Sequence, residues 1–492
     1  MGEPVKRFEW LSLVCILAVA LVLRLIHLNS GLWYDEIVTL VVYVRLPTVD
    51  LLTTYSTLNN HILFSLAAKV SVTSFGESPW ALRLPAVLFG VGSVAATWWL
   101  GRQVVSRGES LLAALFLACS SHHIWFSQNA RGYTGLLLAA LVATTLFVKG
   151  MRGTSRSIWI VYAVVLALAM YMHLSAAFLF ATHALIFGFI LAKQRLGRDR
   201  HVESPDAPGF GPLLGLGLGG VLTLLCYGPL LGQMVGTFTK ASSGEPEGGV
   251  TEWKNPIWTL VETLESFGQG DPVILVGVAA GGILALVGAI HLCRQHLVFA
   301  LIPLIHVPLA LVALIVGSFR IWPRFFFVDA GFAILYLVHG TFVVARTATT
   351  LRRRGARPEL HGHWAGVAAT LVLVFGSLFL LPRTYQLPKQ DFVGARDYIE
   401  SARGPNDAVA SVGLASKSYS TFYAPDWEIV ENVQQLEQLR ANEGNTWLVY
   451  SFPKHTINKY PEIIDVVERD FELVDTFWGS LNEGQVLVYR NR

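Results

Sequence analysis

"HILFSLAAKVSVTSFG", residues 61–76, is the stretch on which the topology of the chain turns. It is apolar, yet Lys69 interrupts it, Ser and Thr recur through it, and it is shorter than the ~20 residues that carry a helix across a bilayer. The surrounding sequence sets the class. Of 492 residues, 53% are hydrophobic and 14% are charged, against roughly 25% charged in an average soluble domain, and the mean hydropathy is +0.50. Apolar windows of ~20 residues place transmembrane helices at 8–28, 81–101, 109–127, 133–150, 156–172, 174–192, 212–235, 272–292, 297–317, 324–346 and 364–382. If 61–76 lies in the interface, the basic loops "GRQVVSRG" (101–108), "KGMRGTSR" (149–156), "KQRLGRDR" (193–200) and "RTATTLRRRGAR" (346–357) share one side with Lys6 and Arg7. If it crosses, they fall opposite the N-terminus. A Lys and Arg surplus belongs to cytoplasmic loops, so the reading is a polytopic α-helical membrane protein with eleven spans. Residues 61–76 then form an interfacial amphipathic segment inside a long first external loop, 29–80, and the C-terminus is external.

Lys6 and Arg7 ahead of "WLSLVCILAVALVL" look like a secretory signal, but no small-x-small cleavage site follows, so this segment is expected to stay as the first span. The net charge of +3 comes from short loops rather than one basic surface, which argues against nucleic-acid binding. Cys15, Cys119, Cys226 and Cys293 show no CxxC spacing and read as core residues. "GLGLGG" (215–220) sits inside a span, where close helix packing is its better reading. No Walker loop and no GxGxxG after a strand is present. After residue 388 the composition becomes that of a soluble domain. "DFVGARDYIES" and "VQQLEQLRAN" have helical spacing, and "DAVASVG", "NTWLVYSF" and "GQVLVYR" read as short strands of an α/β module. The expected division is 1–387 for the transmembrane part and 388–492 for an external α/β domain.

Three stretches carry candidate chemistry, all on the external side. In "SGLWYDEIVTL" (30–40), Asp35 is placed to accept a proton from a hydroxyl or amine nucleophile, or to help hold a divalent ion. The bland alternative stays open: Asp35 and Glu36 are a solvated pair capping a helix that begins near Ile37. Trp33 and Tyr34 fix this loop at headgroup depth and offer rings to a sugar face. In "SSHHIWFSQNARGY" (120–133), Arg131 would hold a phosphate at a headgroup-level cleft, or else snorkel at a helix start. His122 and His123 point in different directions on a helix and read as packing residues. In "GSFRIWPRFFFVDAG" (317–331), Arg320 and Arg324 fall one helical turn apart and would face the lipid phosphates together. Asp329, deeper in that span, is expected to pair with a neighbouring arginine. Asn60 and His61 complete the polar residues gathered on this face.

"LWYDE" (32–36), "NNHILFSL" (59–66), "FSQNARGY" (126–133) and "WPRFFFVDAGFAIL" (322–335) resemble, in order and spacing over residues 8–346, the bacterial GT-C glycosyltransferases. Within them the chain is most similar to the family 39 protein mannosyltransferase and lipid A aminoarabinose transferase group. The resemblance implies a sugar donor linked to polyprenyl phosphate, transfer on the external (periplasmic) face of the bacterial inner membrane, and inversion at the anomeric carbon. It implies Asp35 as general base, Glu36 in a supporting or acceptor-positioning role, and Arg131 and Arg324 on the lipid phosphate, with His61 and Tyr34 in the donor site. The acceptor implied is a lipid, a glycan or a protein. Two departures stand out: the family's "HPP" or "KPP" reads "NNHIL" here, and its "SQEAR" reads "SQNAR", which replaces a carboxylate by Asn129. Related enzymes differ in metal use, so either no cofactor or a divalent ion fits the pattern. The rival readings are a lipid or sugar transporter or flippase, opposed by the scarcity of acids in the spans and the lack of a repeat, and a non-catalytic envelope assembly protein.

Overall fold

The computed structural model describes residues 6–57, 60–153, 155–196, 209–242, 254–268, 272–352, 358–481 and 483–492. Each expected span is helical. Among the described residues nine helices are long and apolar enough to cross a membrane: Arg7–Leu25, Pro79–Val104, Tyr133–Gly150, Ala176–Arg195, Gly211–Thr239, Ile274–Gln295, Leu297–Val316, Pro323–Leu351 and Leu360–Gln386. A tenth is broken, Arg107–Cys119 followed by Ser121–Ser127 with a bend of 60°. Arg156–Met172, at 17 residues, sits at the lower end of the ~17–25 residues that span a bilayer. Residues 197–200 and 353–357 of two basic loops lie outside the described residues.

The opening stretch forms the helix Ile62–Phe75. At 14 residues and 1.5 Å per residue it covers roughly 21 Å, too little for a ~30 Å hydrocarbon core. Its charge is used locally: Lys69 Nζ donates to the carbonyls of Val44 and Leu46, at 3.0 and 2.5 Å. Gly76 ends the helix at φ +87°, a backbone conformation that suits glycine. Phe64 and Ala68 are buried while Val70 and Phe75 face outward, so one side packs on protein and the other side also carries apolar residues.

The broken span has a visible cause. Ser120 is extended (φ −68°, ψ 116°) and its Oγ caps the N–H of His123, so the helix restarts in a new direction. A break at this depth leaves carbonyls without helical partners, which is costly away from water. Arg24, fully buried near the end of the first span, donates to Ala118 O and Leu117 O at 3.0 and 3.3 Å, and Ser377 Oγ donates to Cys119 O at 3.2 Å. His123 packs as expected, between Arg24 (2.6 Å) and Ser93 Oγ (2.9 Å). Asp329 does not pair with an arginine: its carboxylate meets His306 Nδ1 at 3.0 Å, across from the preceding helix. Of the cysteines only Cys119 is fully buried, whereas Cys15 and Cys226 are exposed on apolar spans, where lipid rather than protein would cover them.

The C-terminal α/β domain holds a five-stranded sheet in the order β2-β1-β3-β5-β4: β1 Ala408–Val412, β2 Glu428–Ile429, β3 Thr446–Ser451, β4 Phe471–Phe477 and β5 Val486–Asn491. β1 runs parallel to β2 and β3, and β5 is antiparallel to β3 and β4. The central β3 is buried throughout. The two segments of helical spacing form Phe392–Ala402 and Val433–Arg440. This domain grips the first loop: Tyr423 OH donates to Leu32 O at 2.8 Å, and Tyr34 N–H donates to Gln390 Oε1 at 3.0 Å.

The glycines of "GLGLGG" divide by face. A Cβ on Gly215 would meet Trp159 and Tyr162 at 2.8 and 2.9 Å, whereas Gly217 and Gly220 border open space. Gly215→Leu is therefore expected to lower thermal stability by the ~1–3 kcal/mol of an overpacked contact, and Gly217→Leu to leave it unchanged. Melting curves of the purified variants separate the two, and equal curves would refute the packing role.

Candidate active site

Glu36 is the anchor of the first loop. It is fully buried, and its carboxylate takes both arms of the equally buried Arg83, Nε at 2.7 Å and Nη2 at 2.6 Å. It also accepts Ala130 N–H at 2.8 Å and Trp33 N–H at 3.3 Å. Burial pushes this carboxyl up, but the charges of Arg83 and Lys389, with the bonds from Arg83 and Ala130, hold it below the usual carboxylate range. Arg83 spends its remaining donors on Leu28 O, Ser30 O and Gly31 O, at 2.8–2.9 Å. One ion pair thus ties the turn 28–31, the short helix Tyr34–Val38, the span Pro79–Val104 and the loop at Ala130 into a single block.

That block aims Asp35 the other way. Asp35 Oδ2 lies 3.2 Å from Arg324 Nη1, on a guanidinium that stays about a third exposed. Arg324 comes from the 3-10 turn Pro323–Asp329 and stacks over Trp322, 4.9 Å from the ring centre. Its Nε is buried without a hydrogen-bond partner among the described residues.

Beside Arg324 stand Arg131 and two imidazoles. His61 Nδ1 accepts Gly132 N–H at 2.9 Å. A backbone N–H can only donate, so the proton of the neutral ring sits on Nε2. That Nε2 faces Arg131 Nη2 at 3.0 Å, a donor against a donor. His173 follows the same logic: its Nδ1 accepts Ser175 N–H at 3.1 Å, leaving its proton on Nε2. The two rings meet edge to face at 4.5 Å. Burial, followed by the charges of Arg131, His173 and Arg324, drives His61 well below the usual histidine range, and burial with Arg131 and Arg324 brings His173 down to about 3. Both rings are neutral N–H donors at pH 7. Gly132 permits the close approach, because a Cβ there would collide with His61 Nδ1 at 2.6 Å and Met172 O at 2.8 Å.

Asp35, Arg324, Arg131 and His61 therefore converge, while Glu36 and Tyr34 serve elsewhere. Tyr34 turns to the C-terminal domain, its ring edge-on to Phe452 at 6.4 Å. Asn129, where a carboxylate was the family pattern, accepts the Trp33 indole N–H at 3.1 Å. Arg320 lies in a segment without regular structure ahead of the 3-10 turn, so the helical spacing expected to pair it with Arg324 does not form. Arg83 and His173 went unread in the sequence. Arg83 is a charge inside a span, itself a signal of function, and His173 sits at the turn between two spans. Among the described residues no group of three His, Cys, Asp or Glu is placed to hold a metal ion.

The model of the dolichyl-phosphate-mannose-protein mannosyltransferase family matches residues 59–205, a stretch that includes His61, Arg131 and His173 but neither Asp35 nor Arg324. No curated protein matches the sequence. Among solved structures, the oligosaccharyltransferase AglB from Archaeoglobus fulgidus, in complex with an inhibitory peptide and a dolichol-phosphate, is similar at 11% identity over 95% of this chain and 72% of that one, with a TM-score of 0.52. Its apo form gives 11% identity, 93% and 72% coverage, and 0.50. ArnT from Cupriavidus metallidurans in the apo state covers 98% of both chains at 14% identity and a TM-score of 0.49. The chain has the GT-C fold and resembles this group of membrane glycosyltransferases.

Removing one member of a buried ion pair strands the other. Glu36→Gln is expected to cost ~3–5 kcal/mol of stability, whereas Asp35→Asn, at the edge of the cluster, should leave the melting temperature close to that of the parent; similar melting of all three proteins would refute the anchor. A second expectation concerns pH. His61 is depressed in the fold below its ordinary value of ~6.5, so the unfolded chain takes its proton more readily and stability falls as pH drops below ~6.5. In His61→Gln the loss of melting temperature between pH 8 and pH 5 should be smaller, and an unchanged difference would contradict the assignment.

Proposed function

We propose that this chain is an integral membrane glycosyltransferase that passes a sugar from a polyprenyl-phosphate donor to an acceptor on the membrane face bearing the first loop. The observation that carries the reading is the Asp35–Arg324 contact at the edge of a cluster that otherwise consists of N–H donors. The positive-inside rule makes that face the external one, periplasmic in a bacterial inner membrane. The similarity in fold to an enzyme holding a dolichol-phosphate supports a lipid-linked donor.

The chemistry follows from the parts. When the acceptor oxygen or nitrogen attacks the anomeric carbon, the bond from that carbon to the phosphate oxygen breaks, and the leaving polyprenyl phosphate gains negative charge. Arg131, Arg324 and the Nε2–H groups of His61 and His173 supply fixed donors for that charge, the commonest large term in catalysis. An oxygen between His61 Nε2 and Arg131 Nη2 turns a contact of two donors into two hydrogen bonds. Asp35 receives the acceptor's proton, and attack opposite the leaving group inverts the anomeric centre. As the phosphate draws Arg324 toward itself, the contact at 3.2 Å loosens and frees a carboxylate oxygen of Asp35 for the acceptor. Glu36 acts by position alone, through Arg83.

Asp35→Asn is expected to abolish transfer, by 10² or more in kcat for the loss of a general base, while the protein still binds its lipid donor. Arg324→Ala should weaken donor binding as well as turnover. Measuring donor affinity and transfer on the same purified proteins decides: near-normal turnover in the first variant removes Asp35 from the chemistry, and unchanged affinity in the second removes Arg324 from the phosphate.

A further inference from the structure

A cavity of about 240 Å³ lies apart from the Asp35 cluster, where the first span ends and the last long helix hands over to the C-terminal domain. His27, Trp125, Gln128, Tyr385, Gln386 and Lys389 line it. Lys389 is the unusual member. Only 9% of its surface is exposed, its Nζ donates to Gln128 O at 2.6 Å, and it lies 5.2 Å from the centre of the Trp125 ring. Among the described residues no carboxylate forms an ion pair with it. The acid whose charge reaches it is Glu36, and both oxygens of Glu36 are engaged by Arg83.

Buried charges are paired in folded proteins, because an isolated ammonium away from water is strongly disfavoured. A carbonyl and an aromatic face compensate only part of a full positive charge. The imbalance registers in the group itself: burial brings Lys389 down to about 7, with Glu36 pulling up and Arg83 pushing further down. A carboxylate in direct contact would have removed this penalty, and among the described residues none forms an ion pair with Lys389.

We propose that the cavity is a site for a phosphate-bearing ligand whose anionic oxygens pair with Lys389. Its volume is below the ~300–1,000 Å³ of pockets that take whole small molecules, and so suits a phosphate with the first atoms of its ester rather than a sugar. Its position between the ends of two apolar helices lets an ester chain continue into the bilayer, so the phosphate belongs to a phospholipid headgroup or is free in solution. The occupant steadies the bond from Lys389 to Gln128 O. Gln128 precedes Asn129, which holds Trp33, and Arg131, so binding here stiffens the loop that builds the Asp35 cluster from behind.

The test uses the full chain in an uncharged maltoside detergent. Its melting temperature is followed while either inorganic phosphate, against chloride at equal ionic strength, or phosphatidylglycerol in mixed micelles is added. A ligand that binds only the folded protein raises the midpoint with concentration. A rise with phosphatidylglycerol alone identifies a lipid headgroup, and a rise with inorganic phosphate identifies the free anion. Lys389→Met should abolish the rise. Gln386→Trp, which fills the rim from an exposed position, should abolish it too while keeping the ligand-free midpoint, and decides the matter if Lys389→Met does not fold. Arg324→Ala should retain the rise, separating this site from the donor phosphate. No rise in the parent, or a rise that survives in Gln386→Trp or disappears in Arg324→Ala, overturns the proposal.

Discussion

The pair of Glu36 and Arg83 is the constraint from which the first loop takes its shape. Two opposite charges at 2.6 Å with essentially no exposure are worth having only if every remaining donor and acceptor is satisfied. Here they are: the carboxylate takes two backbone N–H groups, and the guanidinium takes three backbone carbonyls. The pair therefore works as a template for backbone rather than as an ion pair alone. A loop of some fifty residues between two spans would otherwise be free at the point where Asp35 meets Arg324. Adjacent carboxylates in one sequence thus divide into one that is consumed by structure and one that is left at the surface of the cluster.

Irregular backbone near a membrane face needs partners that a regular helix does not, and the fold supplies them with arginine. Arg24 closes the carbonyls opened by the break at Ser120, and Arg83 closes those of the turn after the first span. Arginine suits both places because its planar fork reaches several oxygens at once and keeps its charge when buried. The break at Ser120 is what turns residues 128–132 across the end of the bundle. Without Arg24 that reorientation would leave carbonyls unsatisfied in an apolar setting. The two buried arginines and the Asp35 cluster are therefore one design, in which charge inside the protein supports loops that regular secondary structure cannot.

The division of the chain into spans was legible because apolar windows and charge asymmetry act over twenty residues at a time. The helix at 62–75 was assigned to the surface from the loops around it, and at 14 residues it is short for a span. The candidates Asp35, His61, Arg131 and Arg324 were legible as charges and rings recurring on one face. Their partners were not, because pairing distances of 47 residues for Glu36 with Arg83 and 289 for Asp35 with Arg324 leave no trace in local spacing. The same blindness sent Asp329 to an arginine instead of His306. It also treated Arg320 as helical, since the turn that carries Arg324 begins only at Pro323. Arg83 escaped because its window was apolar enough to absorb one charge, although a charge inside a span is the less ordinary event.

The orientation of the imidazoles bears on why the cluster contains histidine at all. A lysine in place of His61 would add a third full charge beside Arg131 and Arg324, and the mutual repulsion would destabilise the unliganded protein. A neutral ring whose Nδ1 is occupied by a backbone N–H presents the same kind of donor without the charge. On the proposed reading this matters most as the phosphate leaves. Two arginines meet the standing charge of the donor, and the two neutral donors strengthen their bonds as further charge develops, without binding the product as tightly as four cations would. Release of polyprenyl phosphate back to the bilayer then stays within reach, and the cluster can favour the departing state over the resting one instead of trapping what it helped to form.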